Sequence, residues 1–430
     1  MTRFVTPPAA LRAPLLTALL ALSACTSPPG GPVMPVGVPG ALPASVQLGP
    51  RPFYLLDQLG AGPLKQALEE CAAGTPVWPR SEFSIGHRGA PLQFPEHTRE
   101  AYLAAARMGA GVLECDVAFT RDRQLVCRHS QNDLHTTTDI LATPLAARCH
   151  KPFTPARFGS DGQLTQPAAA ECRTSDITLA EFRTLRGRMD AFDPRARTVA
   201  EYMNGTARWR TDLYAGSGTL MTHRESIALF RQLGVKMTPE LKTPVVALPY
   251  QGMTREALAS QLIADYVDAG VPASQVFPQS FELDVVLHWV RQHPEFGRQA
   301  VLLDAASRPQ ALPDAARLAW LKSQGVNIVA PALFALVALD EQQRIVPSAY
   351  ARDARAAGLQ LIGWSLERSG LVAGGKGGFF FQTVAPAMQT EGDVLRVLDV
   401  LLRDVGVRGV FSDWPATTTF MAHCRKPAAP

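Results

Sequence analysis

"ARMGAGVLECDV", residues 106–117, sets a glycine between an amphipathic stretch and a short apolar run, and the same punctuation returns five more times. It recurs as "RQLGVKMTPEL" (231–241), "VDAGVPASQVFPQSF" (267–281), "KSQGVNIVAP" (322–331), "RAAGLQLIGWS" (355–365) and "RDVGVRGVFSD" (403–413). Glycine just past a helix supplies the left-handed residue that closes the last turn, and an unbroken apolar run suits a strand covered on both faces. Six helix-to-strand passages predict a parallel sheet.

Two further runs, Phe83–Gly86 and "AVLL" at Ala300–Leu303, bring the candidate strands to eight; the other six centre on Leu113, Met237, Phe277, Ile328, Ile362 and Val410. Helices are predicted over Glu100–Met108, Ser226–Leu233, Arg255–Ala269, Leu283–His293, Asp314–Gln324, Ala349–Ala357 and Gly392–Val405. The last opens within "TEGD", a Thr-x-x-Asp capping pattern. Eight alternations predict an α/β fold, a (β/α)8 TIM barrel, with an open doubly wound sheet as the alternative. After the second strand the polar tip "TRDRQ" (120–124) between apolar arms predicts a hairpin whose return brings His129 beside Glu114 and Asp116. The span from about 132 to 214 is too long for an ordinary crossover and reads as an insertion over the barrel mouth.

The 430 residues, 47% hydrophobic and 19% charged, can bury a sizeable core, which excludes a disordered or fibrous chain. A net charge of +4 without a dense Lys/Arg block or aromatic ladder argues against a nucleic-acid partner. The start differs in kind. Arg3 and Arg12 precede an apolar run from Leu15 to Leu22 that ends in "LSAC" at Cys25, a secretory signal too short for a permanent membrane span. "LSAC" resembles the lipobox of bacterial lipoproteins, which implies cleavage before Cys25 and its diacylation; a plain signal peptide with an incidental Cys is the alternative. The expectation is an exported, membrane-anchored lipoprotein on the periplasmic or cell-surface side. Residues 26–50, rich in Pro, Gly, Ser and Ala, read as a linker, with the folded part over 51–430. Six more cysteines favour disulfides in an exported chain. Six thiols allow 15 pairings, among which the sequence does not choose; the pairs guessed are Cys71 with Cys424, joining the ends of the fold, Cys115 with Cys127, and Cys149 with Cys172.

In such a barrel, reactive groups sit at the C-terminal strand ends, where the loops build the open face. "IGHRGAPLQFPEHT" (85–98) ends the first strand in His87 and Arg88; the second carries Glu114 and Asp116, and the third ends in Glu240 and Lys242. Gln279 and Ser280 end the fourth, Trp364 the seventh, and Ser412 and Asp413 the eighth. Glu114 and Asp116 are two apart and share a strand face, so with Glu240 they form an all-oxygen set for one divalent cation, Ca2+ or Mg2+. Carboxylates merely paired to Arg88 and Lys242 are the alternative. His87 and His129 can exchange protons near neutrality, and Arg88 offers a planar fork for phosphate, with Lys242 offsetting phosphoryl charge.

"GHRG", "PEHT", "LECDV", "RHS", "PELK", "QSF", the Trp of "GWS" and "SDWP" resemble, in order and spacing, the glycerophosphodiester phosphodiesterase family. The resemblance implies His87 and His129 as acid and base, Arg88 and Lys242 on the phosphate, and Glu114, Asp116 and Glu240 around the metal. It implies Trp364 on the alcohol side, and Gln279 is counted among the substrate-binding side chains. The implied reaction turns a small-molecule glycerophosphodiester into glycerol 3-phosphate and an alcohol. His97, Ser130, Ser412 and "WSLE" depart from the family's usual Asn, Asp, Thr and Trp-Thr, which leaves the alcohol group open. His97 reads as a third ionisable group near the mouth or as a structural residue at a helix start. Two rivals are a phospholipase D-like (sphingomyelinase D type) lipid phosphodiesterase of the same superfamily and a non-catalytic surface-binding lipoprotein.

Overall fold

All six of the repeated glycines adopt positive φ, from 63° at Gly234 to 92° at Gly109, so each helix closes where the sequence pattern places its end. The computed structural model describes residues 46–75, 77–211, 214, 216 and 218–425. The signal segment 1–25 with Cys25, and the linker as far as residue 45, lie outside the described residues. Val46 bridges Trp78 and Leu48 is buried, so the folded part takes in the last residues of the stretch assigned to the linker.

Eight parallel strands close into a barrel: β1 (Ser81–Gly86), β2 (Ala110–Phe119), β3 (Lys236–Leu241), β4 (Gln279–Ser280), β5 (Val301–Leu303), β6 (Ile328–Ala330), β7 (Gln360–Leu366) and β8 (Gly409–Ser412). Each strand pairs with the next, and β1 pairs with both β2 and β8, which rules out the open sheet. The fourth strand lies two residues beyond its expected centre at Phe277. Pro278 has no N–H to donate to the ladder, and Phe277 instead joins Ile85, Val112, Val301, Ile328, Ile362 and Phe411 in the barrel interior.

The helices match their expected spans to within a few residues, and side chains mark their starts. Thr98, Thr254, Asp314 and Ser348 each accept a backbone N–H from the first turn, and Thr222 with Glu225 forms a capping box. The last expected helix is divided: Asp393–Val400 is α-helical and Leu401–Val405 a π-type turn. Asp393 accepts the N–H of Thr390, the half of the capping pattern that a carboxylate can supply. Cys71–Cys424, Cys115–Cys127 and Cys149–Cys172 are the three disulfides, as expected.

The hairpin after β2 returns through Leu125–Cys127, with Val117 opposite Cys127. The insertion that follows has a core of its own, in which Leu134, Ile140, Ile177, Phe182 and Tyr202 pack with Ala118 and Val126 of that hairpin. Its far end meets the barrel mouth, where the Tyr214 ring stacks on Phe94 with centroids 4.3 Å apart.

Candidate active site

Strand register assembles the acidic group. Asp116 of β2 lies opposite Glu240 of β3, and Glu114 lies two residues back on the same face of β2. One carboxylate oxygen from each of Glu114, Asp116 and Glu240 falls within 4.8 Å of the others, and all three residues are buried. Burial, then Asp116 and Glu240, push the Glu114 carboxyl well above the usual carboxylate range. Burial also lifts Glu240 to about 7, although Lys242 pulls the other way with its ammonium 2.6 Å from Oε1. Asp116 Oδ1 is buried without a protein partner. Three converging hard oxygens, a Glu114 carboxyl raised by its two acidic neighbours and an orphaned acceptor fit a divalent cation bound by Glu114, Asp116 and Glu240.

The backbone around the first motif is strained. Arg88 and His97 have φ of 54° and 55°, left-handed values that side-chain-bearing residues seldom adopt away from functional sites. The Arg88 turn aims its own N–H at Glu114 Oε2, 2.8 Å away, while His97 N–H donates to the Arg88 carbonyl. One stretch of chain thus sets both the Arg88 guanidinium and a donor to the acidic group.

His87 Nδ1 lies 2.5 Å from Asp413 Oδ1. Because a carboxylate only accepts, Nδ1 carries the proton of that bond and Nε2 is left for the cleft. Burial holds the His87 imidazole below its ordinary range, against the pull of Asp413, and Arg88 adds to the lowering. His129 is held well below by burial, then Arg88 and Lys242. The carboxylates of Glu96 and Asp133 lie within 4.8 Å of a His129 ring nitrogen.

His87, Arg88, Glu114, Asp116, His129, Glu240 and Lys242 line one cleft enclosing about 360 Å³ of empty space, with Trp364, Phe281, Leu303 and Phe411 as its apolar wall. Trp364 meets Phe281 edge-on with ring centroids 5.8 Å apart. Gln279 differs from expectation: it is wholly buried and its Nε2 donates to Glu114 Oε1 at 2.8 Å, so it faces the acidic group and not a substrate. Its register opposite Glu240 of β3 sets that side chain beside the acidic group. His97 is also wholly buried, between the Tyr102 hydroxyl and Asp116 Oδ2, both at 2.9 Å. It holds a carboxylate of the acidic group and is not among the residues that line the cleft.

Sequence reading left Asp413, Glu96, Arg368 and Asp190 without roles. Asp413 carried a signal, a carboxylate just past the last strand, and Glu96 stood inside a quoted motif. Arg368 and Asp190 offered none, since their partners lie far away along the chain.

Two imidazoles, an arginine and a lysine gathered over three carboxylates at the C-terminal mouth of a β/α barrel define an enzyme that works on phosphate esters. The model of the glycerophosphoryl diester phosphodiesterase family matches residues 87–417, and the chain belongs to that family. It is a glycerophosphodiester phosphodiesterase. Over 245 residues, 55% of this chain and 99% of the relative, it is 46% identical to an "Extracellular protein" of Arthroderma benhamiae. It is 29% identical over 202 residues, 45% of this chain and 47% of the relative, to the glycerophosphodiester phosphodiesterase GDPD6 of Arabidopsis thaliana. A crystal structure from Silicibacter pomeroyi DSS-3, of a protein that carries the same family name, matches with a TM-score of 0.52 at 19% identity, covering 84% of this chain and 99% of that one. At that identity the likeness bears on the fold.

Proposed function

We propose that the chain cuts glycerophosphodiesters into glycerol 3-phosphate and an alcohol in a metal-dependent reaction, with His87 and His129 as the proton-transfer pair. The observation that carries this reading is the single cleft lined by both imidazoles, both phosphate-directed cations and the acidic group. Arg88 and Lys242 bind and orient the phosphoryl oxygens. One imidazole, kept neutral by burial, takes the proton of the attacking hydroxyl as its oxygen bonds to phosphorus: water gives glycerol 3-phosphate directly, whereas a hydroxyl of the glycerol gives a cyclic phosphate that water then opens. The other, which must first take up a proton from solvent, gives it to the alcohol oxygen as that oxygen's bond to phosphorus breaks. Glu114, Asp116 and Glu240 would hold a Ca2+ or Mg2+ ion, which would offset negative charge on the phosphoryl oxygens. The test is turnover of glycerophosphocholine: His87→Ala and His129→Ala should each abolish it, and near wild-type rates in either variant overturn the assignment.

The lipid phosphodiesterase reading draws support from the apolar wall. Phe281 is 37% exposed beside the cleft, and Trp364 packs on it. Comparing lysophosphatidylcholine with glycerophosphocholine as substrates separates the two readings, and preference for the second compound supports ours.

We also propose that the chain is exported and tethered by acylated Cys25, on the periplasmic or cell-surface side. The signal-like start, three disulfides and a relative named an extracellular protein support this. Mass spectrometry of the mature amino terminus tests it: an uncleaved chain, or an unmodified Cys25, overturns it.

A further inference from the structure

The loop leaving β7 carries a guanidinium that touches neither the cleft nor the acidic group, yet joins the parts around them. Arg368 Nη1 donates to Asp413 Oδ2 at 3.2 Å, and its Nη2 reaches Glu96 Oε2 and Asp190 Oδ2, each at 3.0 Å. The far side of each partner matters. Asp413 holds His87 through its other oxygen. The same oxygen of Glu96 accepts from Arg88 Nη1 at 2.8 Å. Asp190 belongs to the insertion and is shared with Arg210, 2.5 Å away.

A second, independent contact joins the same loop to the insertion. Gly370 has φ of 83°, and a Cβ there would lie 2.8 Å from the indole of Trp209. The loop therefore approaches the insertion by backbone two residues after it grips it by side chain. Without Arg368, Asp413 Oδ2 would lose its charged donor and the carboxylate would be free to turn, so its hold on His87 Nδ1 through Oδ1 would weaken. Glu96 would then draw harder on Arg88 and turn its fork away from the cleft.

We infer that Arg368 is a positioning residue that couples the insertion to the catalytic groups: anchored by Asp190, it holds Asp413 against His87 and shares Glu96 with Arg88. This rests on the acid–base role proposed for His87. It makes the insertion part of the catalytic apparatus, since Asp190 lies in it.

The variants are Arg368→Gln, Arg368→Lys, Asp190→Asn and the double variant Arg368→Gln/Asp190→Asn, assayed on glycerophosphocholine with the divalent ion that best supports the wild type. Arg368→Gln should lower kcat at least tenfold, Arg368→Lys should recover part of the loss, and Asp190→Asn should lower kcat several-fold. The double variant should be no worse than Arg368→Gln alone, because both changes cut one chain of contacts. If Arg368→Gln does not fold, Asp190→Asn at the outer end of that chain decides.

A second readout does not need turnover. Asp413, Arg88 and Arg368 are the charged groups that act most strongly on the His87 ring, with Phe411 edge-on beside it, and Glu114, Asp116, His129, Glu240 and Lys242 line the same cleft. When Arg368 is lost Asp413 loosens from His87, and Asp413 favours the protonated ring more than Arg368 opposes it. The His87 titration followed by nitrogen NMR should therefore move to lower pH in Arg368→Gln, whereas a move to higher pH, which loss of the cation alone would give, overturns the inference. An unmoved titration, or kcat within twofold of wild type in folded Arg368→Gln and Asp190→Asn, overturns the inference. So do losses that multiply in the double variant. A wild type inactive on every diester, with the His87 titration still shifted to lower pH by Arg368→Gln, would instead count against the proposed function alone.

Discussion

His87 and Asp413, 326 residues apart in sequence, meet in a hydrogen bond of 2.5 Å across the seam where β8 closes on β1. Arg368 and then His87 overcome the effect of burial and hold the Asp413 carboxyl down at about 2, so it stays an acceptor throughout the working range. Asp413→Asn puts a donor or a weaker acceptor against Nδ1 and favours the wrong tautomer. The expected result is a fall in kcat of about 10²–10⁴-fold with KM changed much less. Steady-state kinetics on glycerophosphocholine checks it, with the melting temperature as a control for folding.

Gln279 separates two kinds of contribution. Because it donates to Glu114 and is wholly buried, Gln279→Ala should weaken divalent-ion binding by about 10–100-fold and leave KM for the diester nearly unchanged at saturating ion. Calorimetric titration with Ca2+ and Mg2+ gives the first quantity and kinetics the second.

Chelation should abolish activity, and added Ca2+ or Mg2+ should restore it. Glu240→Gln removes one of the three negative charges of the acidic group and the anionic partner of Lys242, so the ion concentration for half-maximal activity should rise at least about tenfold. Activity that survives exhaustive chelation would count against metal dependence.

Glu367 makes the fold itself sensitive to pH. Burial lifts its carboxyl from 4.5 to about 7, although Arg51 pulls the other way. Between those values the folded chain keeps a proton that the unfolded chain has released, so this group lowers stability as pH rises through the window. The shift corresponds to about 3 kcal/mol at most. Glu367→Gln can still accept from Ser412 and should be more stable than wild type at pH 8, with the gain gone below pH of about 4.5. Urea unfolding at the two pH values measures it.

Cys71–Cys424 ties a helix that precedes the barrel, Pro63–Gly74, to the final helix, Ala416–Cys424. Replacing both cysteines by serine should cost about 2–5 kcal/mol of stability without lowering kcat of the folded enzyme. The bond lies away from the cleft, so an equal loss of kcat at low temperature would contradict the prediction.

By itself the sequence determined whatever depends on neighbours along the chain. Helix-closing glycines, apolar runs and capping residues are short-range signals, and they specified eight strands in order. The spacing of Glu114 and Asp116 put both on one strand face, and Asp413 stood visible at the end of β8. Tertiary structure decided what depends on which strands meet. Whether Gln279 faces substrate or Glu114 follows from the register between β3 and β4, which no local pattern encodes. His97 could be a third ionisable group or a buried tie until β2 packed beside it and gave it Asp116. Arg368 meets Glu96 across 272 positions and Asp190 across 178, because barrel closure and the return of the insertion bring their loops together. Buried charges find partners through space, and a linear pattern reports only the residues beside them.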